Sequence, residues 1–186
     1  MNKERNLIHS IVYPAVATGL ILLIPFIAMQ FSNEVVWTLS DFAIAGTLLF
    51  GTGLTYTLVT RKSGKIAYRL AVGFALFTGL LLIWVNMAVG IIGSENNDIN
   101  LLYFLVIFTG IVGGFISQFQ PKGLMITLFA MAIVQALIAV TALLTGMGNT
   151  PGSSVYEIIA VNGFFITLFI VAASLFRYAD LDRKIS

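Results

Sequence analysis

Cysteine is absent from this chain of 186 residues, and histidine occurs once, at His9. Disulfides, thiolate metal sites and cysteine nucleophiles are thereby excluded. One histidine cannot supply two axial haem ligands, and its position beside the N-terminus leaves no Ser-His-Asp set. Charge is scarce too. Asp, Glu, Lys and Arg make up 10 % of the residues and apolar side chains 59 %, against about 25 % and about 45–50 % in soluble domains. A soluble protein of this size has too much surface to cover with so few charges, whereas a chain solvated mainly by lipid does not need them. Also missing are a Gly-rich phosphate loop, a His-Glu-x-x-His pair, a lysine deep in an apolar run such as a retinal Schiff base requires, and any nucleic-acid-binding surface. No cofactor is expected.

What the chain has instead is long apolar runs. A helix needs about 17–25 such residues to cross about 30 Å of hydrocarbon. Six runs qualify: Leu7 to Phe31, Asp41 to Thr60, Ile66 to Gly93, Leu101 to Ser117 (the shortest), Leu124 to Gly146, and Val155 to Phe176. They are continuously apolar, unlike the alternating strands of a membrane barrel. The fold class is therefore an all-α integral membrane protein with six transmembrane helices. The connections are short and polar, and the one from Gln118 to Gly123 contains Pro121, a natural helix stop. None could hold a folded soluble domain, so residues 1–186 read as a single six-helix transmembrane domain. The first run follows Lys3 and Arg5 as a signal peptide would. It is longer than a signal core and lacks a small-x-small cleavage site before Ser32, so it reads as an uncleaved span.

The charges are sorted by side. With six spans, the N-terminus, the second and fourth loops and the C-terminus share one face. All ten Lys and Arg lie on that face: Lys3, Arg5, Arg61, Lys62, Lys65, Arg69, Lys122, Arg177, Arg183 and Lys184. The positive-inside rule assigns it to the cytoplasm, which places both termini there and makes a bacterial inner membrane the expected location. Five of the eight acids, Glu34, Asp41, Glu95, Asp98 and Glu157, fall on the opposite face. Inner cations attract anionic lipid headgroups, which at this level is topology chemistry rather than a binding function.

Asp41, Asp98 and Glu157 each stand at the outer start of an even-numbered span, about 58 residues apart. This spacing suggests three consecutive helical hairpins of like orientation. Short loops alone give such a period, and an acid at a helix N-terminus complements the dipole. Mitochondrial carriers also have three hairpins, but their Pro-x-Asp-x-x-Lys/Arg signature is missing.

Polar residues inside spans cost free energy, so each needs an account. Asn86 lies about 10 Å below the outer boundary, and Asn162 at a similar depth. With Asp41 and Glu157 just above them and Glu95 and Asp98 at the rim, they outline a candidate outward-facing polar pocket. Carboxylate and amide oxygens are hard ligands suited to cations, although no particular metal is indicated. The plainer account is packing. Gly79, Asn86, Gly90 and Gly93 share one helical face, and Gly110 and Gly114 form a Gly-x-x-x-Gly seam, a pattern that brings membrane helices close. Gln135, between Ala132 and Ala139, fits packing as well. His9 reads as an interfacial histidine, with proton transfer as its functional alternative.

The stretch Trp-Val-Asn-Met-Ala-Val-Gly-Ile-Ile-Gly-Ser-Glu-Asn-Asn from Trp84 to Asn97 resembles a segment of a family of uncharacterised bacterial multi-pass membrane proteins, Val-Asn-x-Ala-Val-Gly-Ile-Ile-Gly-Ser-Glu. Asp41 and the Phe50-Gly51-Thr52-Gly53 run fit the same setting. The resemblance implies no activity, but it centres on Asn86 and Glu95. Two functions compete: a small transporter or cation-binding protein using the outer polar pocket, and a non-catalytic accessory or assembly protein packing against itself or a membrane partner subunit. An enzyme is the least favoured reading. Apart from the lipid bilayer and such a homo-oligomer or subunit, no partner is expected, and no nucleic acid.

Overall fold

The computed structural model describes the backbone of residues 2–61, 63–149 and 152–185. Lys62 and Pro151 fall outside the described residues, as do the side chains of Lys3, Glu4, Arg5 and Lys184. The chain forms six α-helices: α1 (Asn2–Phe31), α2 (Leu39–Thr60), α3 (Ile66–Ala88), α4 (Tyr103–Ile116), α5 (Pro121–Leu144) and α6 (Val155–Ile185). A 3-10 turn, Asp98–Leu102, leads into α4. All six, with α4 taken together with its 3-10 turn, are long and apolar enough to cross a membrane, and no strand occurs among the described residues. In lipid every backbone N–H and C=O must find a partner within the chain, and a helix supplies it locally. This is an all-α membrane protein with six spanning helices.

Several boundaries depart from the apolar runs, each for a physical reason. The third run reaches Gly93, but α3 stops at Ala88, where the Val89 N–H closes onto the Val85 carbonyl. Gly90 and Gly93 then take φ of +76° and +70°, the left-handed region that glycine enters without a Cβ clash. Ile91 and Ile92 belong to this loop and are buried, so the apolar run continues after the helix has ended. Pro121, expected to stop a helix, instead opens α5. The first turn needs no N–H at that position, and the fixed φ of proline suits it. Pro14 and Pro25 both lie within α1.

The chain divides into two compact units, Met1–Lys62 and Ser63–Ser186. In the first unit α1 and α2 pair. The Thr57 hydroxyl donates to the Ser10 carbonyl at 3.0 Å, and a Cβ at Gly53 would stand 3.1 Å from Pro14 Cβ. Few side chains are buried here: Ser10, Pro14, Ala45 and Thr60.

The second unit is built around α6. Helices α5 and α3 make their largest packing surfaces on it, and α4 packs on α5. Successive helices α3 and α4 touch little, so within this unit the expected middle hairpin is not a packed pair. Phe165, Phe169, Ala172, Ala173 and Phe176 of α6, Ala71 and Leu82 of α3, and Ile138 and Ala142 of α5 form much of the core. At the end carrying the basic residues, the Tyr68 and Phe176 rings meet edge to face, 5.8 Å between centroids. There the Tyr68 hydroxyl also donates to the Phe119 carbonyl at 2.7 Å. Lys65 pairs with Asp182 at 3.3 Å, and Arg183 donates to Gln120.

Candidate functional site

The second unit buries a set of polar side chains at membrane depth, on which the candidate site is built. Asn162 lies on α6, and its amide N–H donates to the Ile158 carbonyl one turn earlier at 2.8 Å. That bond fixes which way the carboxamide points. Its oxygen accepts from the Tyr103 hydroxyl of α4 at 2.8 Å and from Gln135 Nε2 of α5 at 3.0 Å. Three helices thus converge on one carbonyl oxygen. Tyr103, Gln135 and Asn162 are all fully buried. Gln135 is held through its nitrogen alone, and its oxygen Oε1 is buried with no hydrogen-bond partner.

A second polar cluster organises the loop after α3. Asn100 Oδ1 accepts from the Ile91 and Ile92 N–H groups at 3.1 and 3.0 Å. Its Nδ2 donates to the Ile92 and Ser94 carbonyls at 3.2 and 2.8 Å. One side chain therefore satisfies four backbone groups of a loop that has no helix to do so. Gly90 must be glycine on two counts: its φ is positive, and a Cβ would fall 2.6 Å from the Ser94 backbone. Asn86, on the last turn of α3, donates to the Asn100 carbonyl at 3.1 Å, while its own Oδ1 is buried and unpaired. The segment from Trp84 to Asn97 is thus, in its latter half, a folded loop keyed to Asn100.

The acids expected on the outer face behave differently. Asp41 is exposed and sits in the first turn of α2, where its carboxylate accepts from the Thr38 N–H and hydroxyl at 2.7 and 2.8 Å. The Asp41 N–H returns to the Thr38 hydroxyl at 3.3 Å, which completes a capping box. Glu157 repeats half of this arrangement, its N–H donating to the Ser154 hydroxyl at 3.1 Å. Asp98 opens the 3-10 turn, and Glu95 accepts from the neighbouring Asn96 side chain at 3.0 Å. Within the second unit, no hydrogen bond joins these exposed acids to Asn86 or Asn162 among the described residues. Nor does any group of three His, Asp or Glu there suit a metal ion. The even spacing of Asp41 and Glu157 has a local cause in helix capping.

The glycine seams are closed within the chain. A Cβ at Gly110 would stand 2.9 Å from Met131 Sδ, one at Gly114 3.3 Å from the Phe119 ring, and one at Gly113 would strike Thr127. Gly79 has ordinary room, 3.8 Å from Ile107. Gly90 and Gly93 leave the helical face expected for them because they lie beyond the end of α3. Asn86 and Asn162 stand out in the sequence as amides within apolar runs, whereas their partners Asn100 and Tyr103 do not. The available signal was Asn100 and Tyr103 three residues apart at the mouth of a span.

No protein-family model, curated protein or solved structure matches this chain.

Proposed function

We propose that this chain is a small cation-binding carrier of a bacterial inner membrane, with both termini in the cytoplasm. The orientation is supported by the confinement of all ten Lys and Arg to one face. The observation that carries the function is Gln135 Oε1. A buried acceptor without a partner costs about 1–3 kcal/mol. An unpaired acceptor in so well bonded a cluster calls for an occupant, and a bound ion is one that would meet it. A neutral amide oxygen is a hard ligand. With no carboxylate beside it, it suits a monovalent cation better than a divalent one. In this reading the exposed acids Glu95, Asp98 and Glu157 do not coordinate; they raise the local cation concentration at the outer face.

The test is thermal unfolding of the detergent-purified protein in chloride salts of Li⁺, Na⁺, K⁺ and choline at equal ionic strength, with Gln135→Leu run beside it. A ligand at 100 times its Kd stabilises the folded state by about 2.7 kcal/mol. A shift selective for one alkali cation, lost in Gln135→Leu, supports the carrier. Identical curves in all four salts overturn it. The second reading, assembly with itself or a partner subunit, rests on Gly163 of α6, where an added Cβ would meet nothing within 4 Å. It predicts that Gly163→Leu changes the oligomeric state.

A further inference from the structure

At the basic end of the second unit, α5 and α6 enclose a groove of about 330 Å³. Its walls are graded. Lys122 and Arg177 stand at its mouth, with Asp180 and Leu181 beside them, and Met125, Phe129 and Ala173 continue it along the helices toward the membrane interior. Ser174 lines it between the two zones. The gradient follows from the helix starts and directions. Lys122 is the second residue of α5, and Phe129 lies about two turns further in. Helix α6 runs the opposite way and brings Arg177 level with Lys122. Lys122 and Arg177 are exposed, whereas Ala173 is fully buried at the floor.

This layout matches one class of molecule: a charged head above, an apolar chain below. We propose that the groove is a binding site for an anionic phospholipid, its phosphate held between Lys122 and Arg177 and its first acyl carbons lying against Met125 and Phe129. Asp180 leaves the cations in excess, so a net negative head is favoured. Basic pockets between helices at a membrane surface recognise such headgroups, and Arg offers a planar fork for phosphate oxygens while Lys offers a point charge. The site is independent of the cation reading and uses none of its residues.

The experiment measures lipid retention by native mass spectrometry and the accompanying thermal shift, in micelles doped with phosphatidylglycerol or phosphatidylcholine, and separately in sodium phosphate without lipid. Wild type is compared with Lys122→Gln/Arg177→Gln, with the charge-retaining pair Lys122→Arg/Arg177→Lys, and with Arg69→Gln, a cation of the same end outside the groove. Phosphatidylglycerol should be retained over phosphatidylcholine. The double Gln variant should weaken that preference roughly thirty-fold, at about 1 kcal/mol per basic residue. The charge-retaining pair and Arg69→Gln should keep it. Equal retention of both lipids, an equal loss in Arg69→Gln, or an equal response to free phosphate would each overturn the proposal. Should the double variant misfold, the exposed Lys122→Gln alone carries the same comparison, with a roughly five-fold loss expected.

Discussion

The two units of the chain solve the same problem by different means. In the first, only 6 % of the most apolar stretch of α1, and likewise of α2, is buried, whereas in α5 the share is 39 %. Among the described residues the Thr57 hydroxyl bonds across the α1–α2 pair to the Ser10 carbonyl, and the pair buries few side chains. The second unit encloses amides, a phenol and a loop held by one asparagine. Lipid is as apolar as leucine, so it offers helices little reason to associate. What holds α3–α6 together is close approach at glycines and polar bonds placed where no solvent competes.

If that contrast is right, substitutions in the second unit should hurt far more than matched ones in the first. The largest effect belongs to Asn100→Ala. It strips the acceptor from two buried N–H groups at about 1–3 kcal/mol each, so thermal unfolding in detergent should move down sharply and the Ile91 and Ile92 amides should exchange faster. An unchanged exchange rate would break the account of the loop. Next is Gly113→Leu, which drives a side chain into Thr127 and should cost about 1–3 kcal/mol. Gly19→Leu in α1, where an added Cβ meets nothing within 4 Å, should be neutral or gain up to about 1 kcal/mol from helix propensity. Equal losses in a denaturant series would erase the distinction between the units. Tyr103→Phe removes one donor from Asn162 and should cost about 0.6 kcal/mol, and at most about 1.7. The smallest effect sharpens the comparison. Thr57→Val removes the bond to Ser10 from a half-exposed site and should fall below Tyr103→Phe in the same assay. A larger loss there would mean that the first unit depends on its polar bond as much as the second does.

Much of this was legible in the sequence. The number of spans follows from run length, because a bilayer imposes a length that few other environments do. The capping acids are legible in principle too, since Thr38 and Ser154 each precede an acid by three residues, although the spacing invited a repeat instead. Hydropathy misread the end of α3, because a buried loop is as apolar as a buried helix. Ile91 and Ile92 look the same in either, and only the positive φ of Gly90 and Gly93 separates the two. Helix partners were not legible. Chain order suggests α3 beside α4, but contact depends on which faces fit, and α3 fits α6. The same limit hid the site. Asn162 alone looks like packing; it is the simultaneous approach of Tyr103 and Gln135, residues distant in sequence, that makes it a hub.

The central place of α6 has a consequence for how the protein is made. Of the six helices it leaves the ribosome last, although α3 and α5 both pack most heavily on it. Until Asn162 arrives, Gln135 and Tyr103 have no acceptor, and an unsatisfied polar group in hydrocarbon costs several kcal/mol. About eighteen residues separate the end of α5 from Asn162, and at about 5–20 residues per second their synthesis takes roughly 1–4 s. For that interval the newborn chain carries open amides within the bilayer, where insertion chaperones and membrane proteases both inspect it. Quality control should therefore read this bundle at α6, and chains truncated before Asn162 should be the ones cleared fastest.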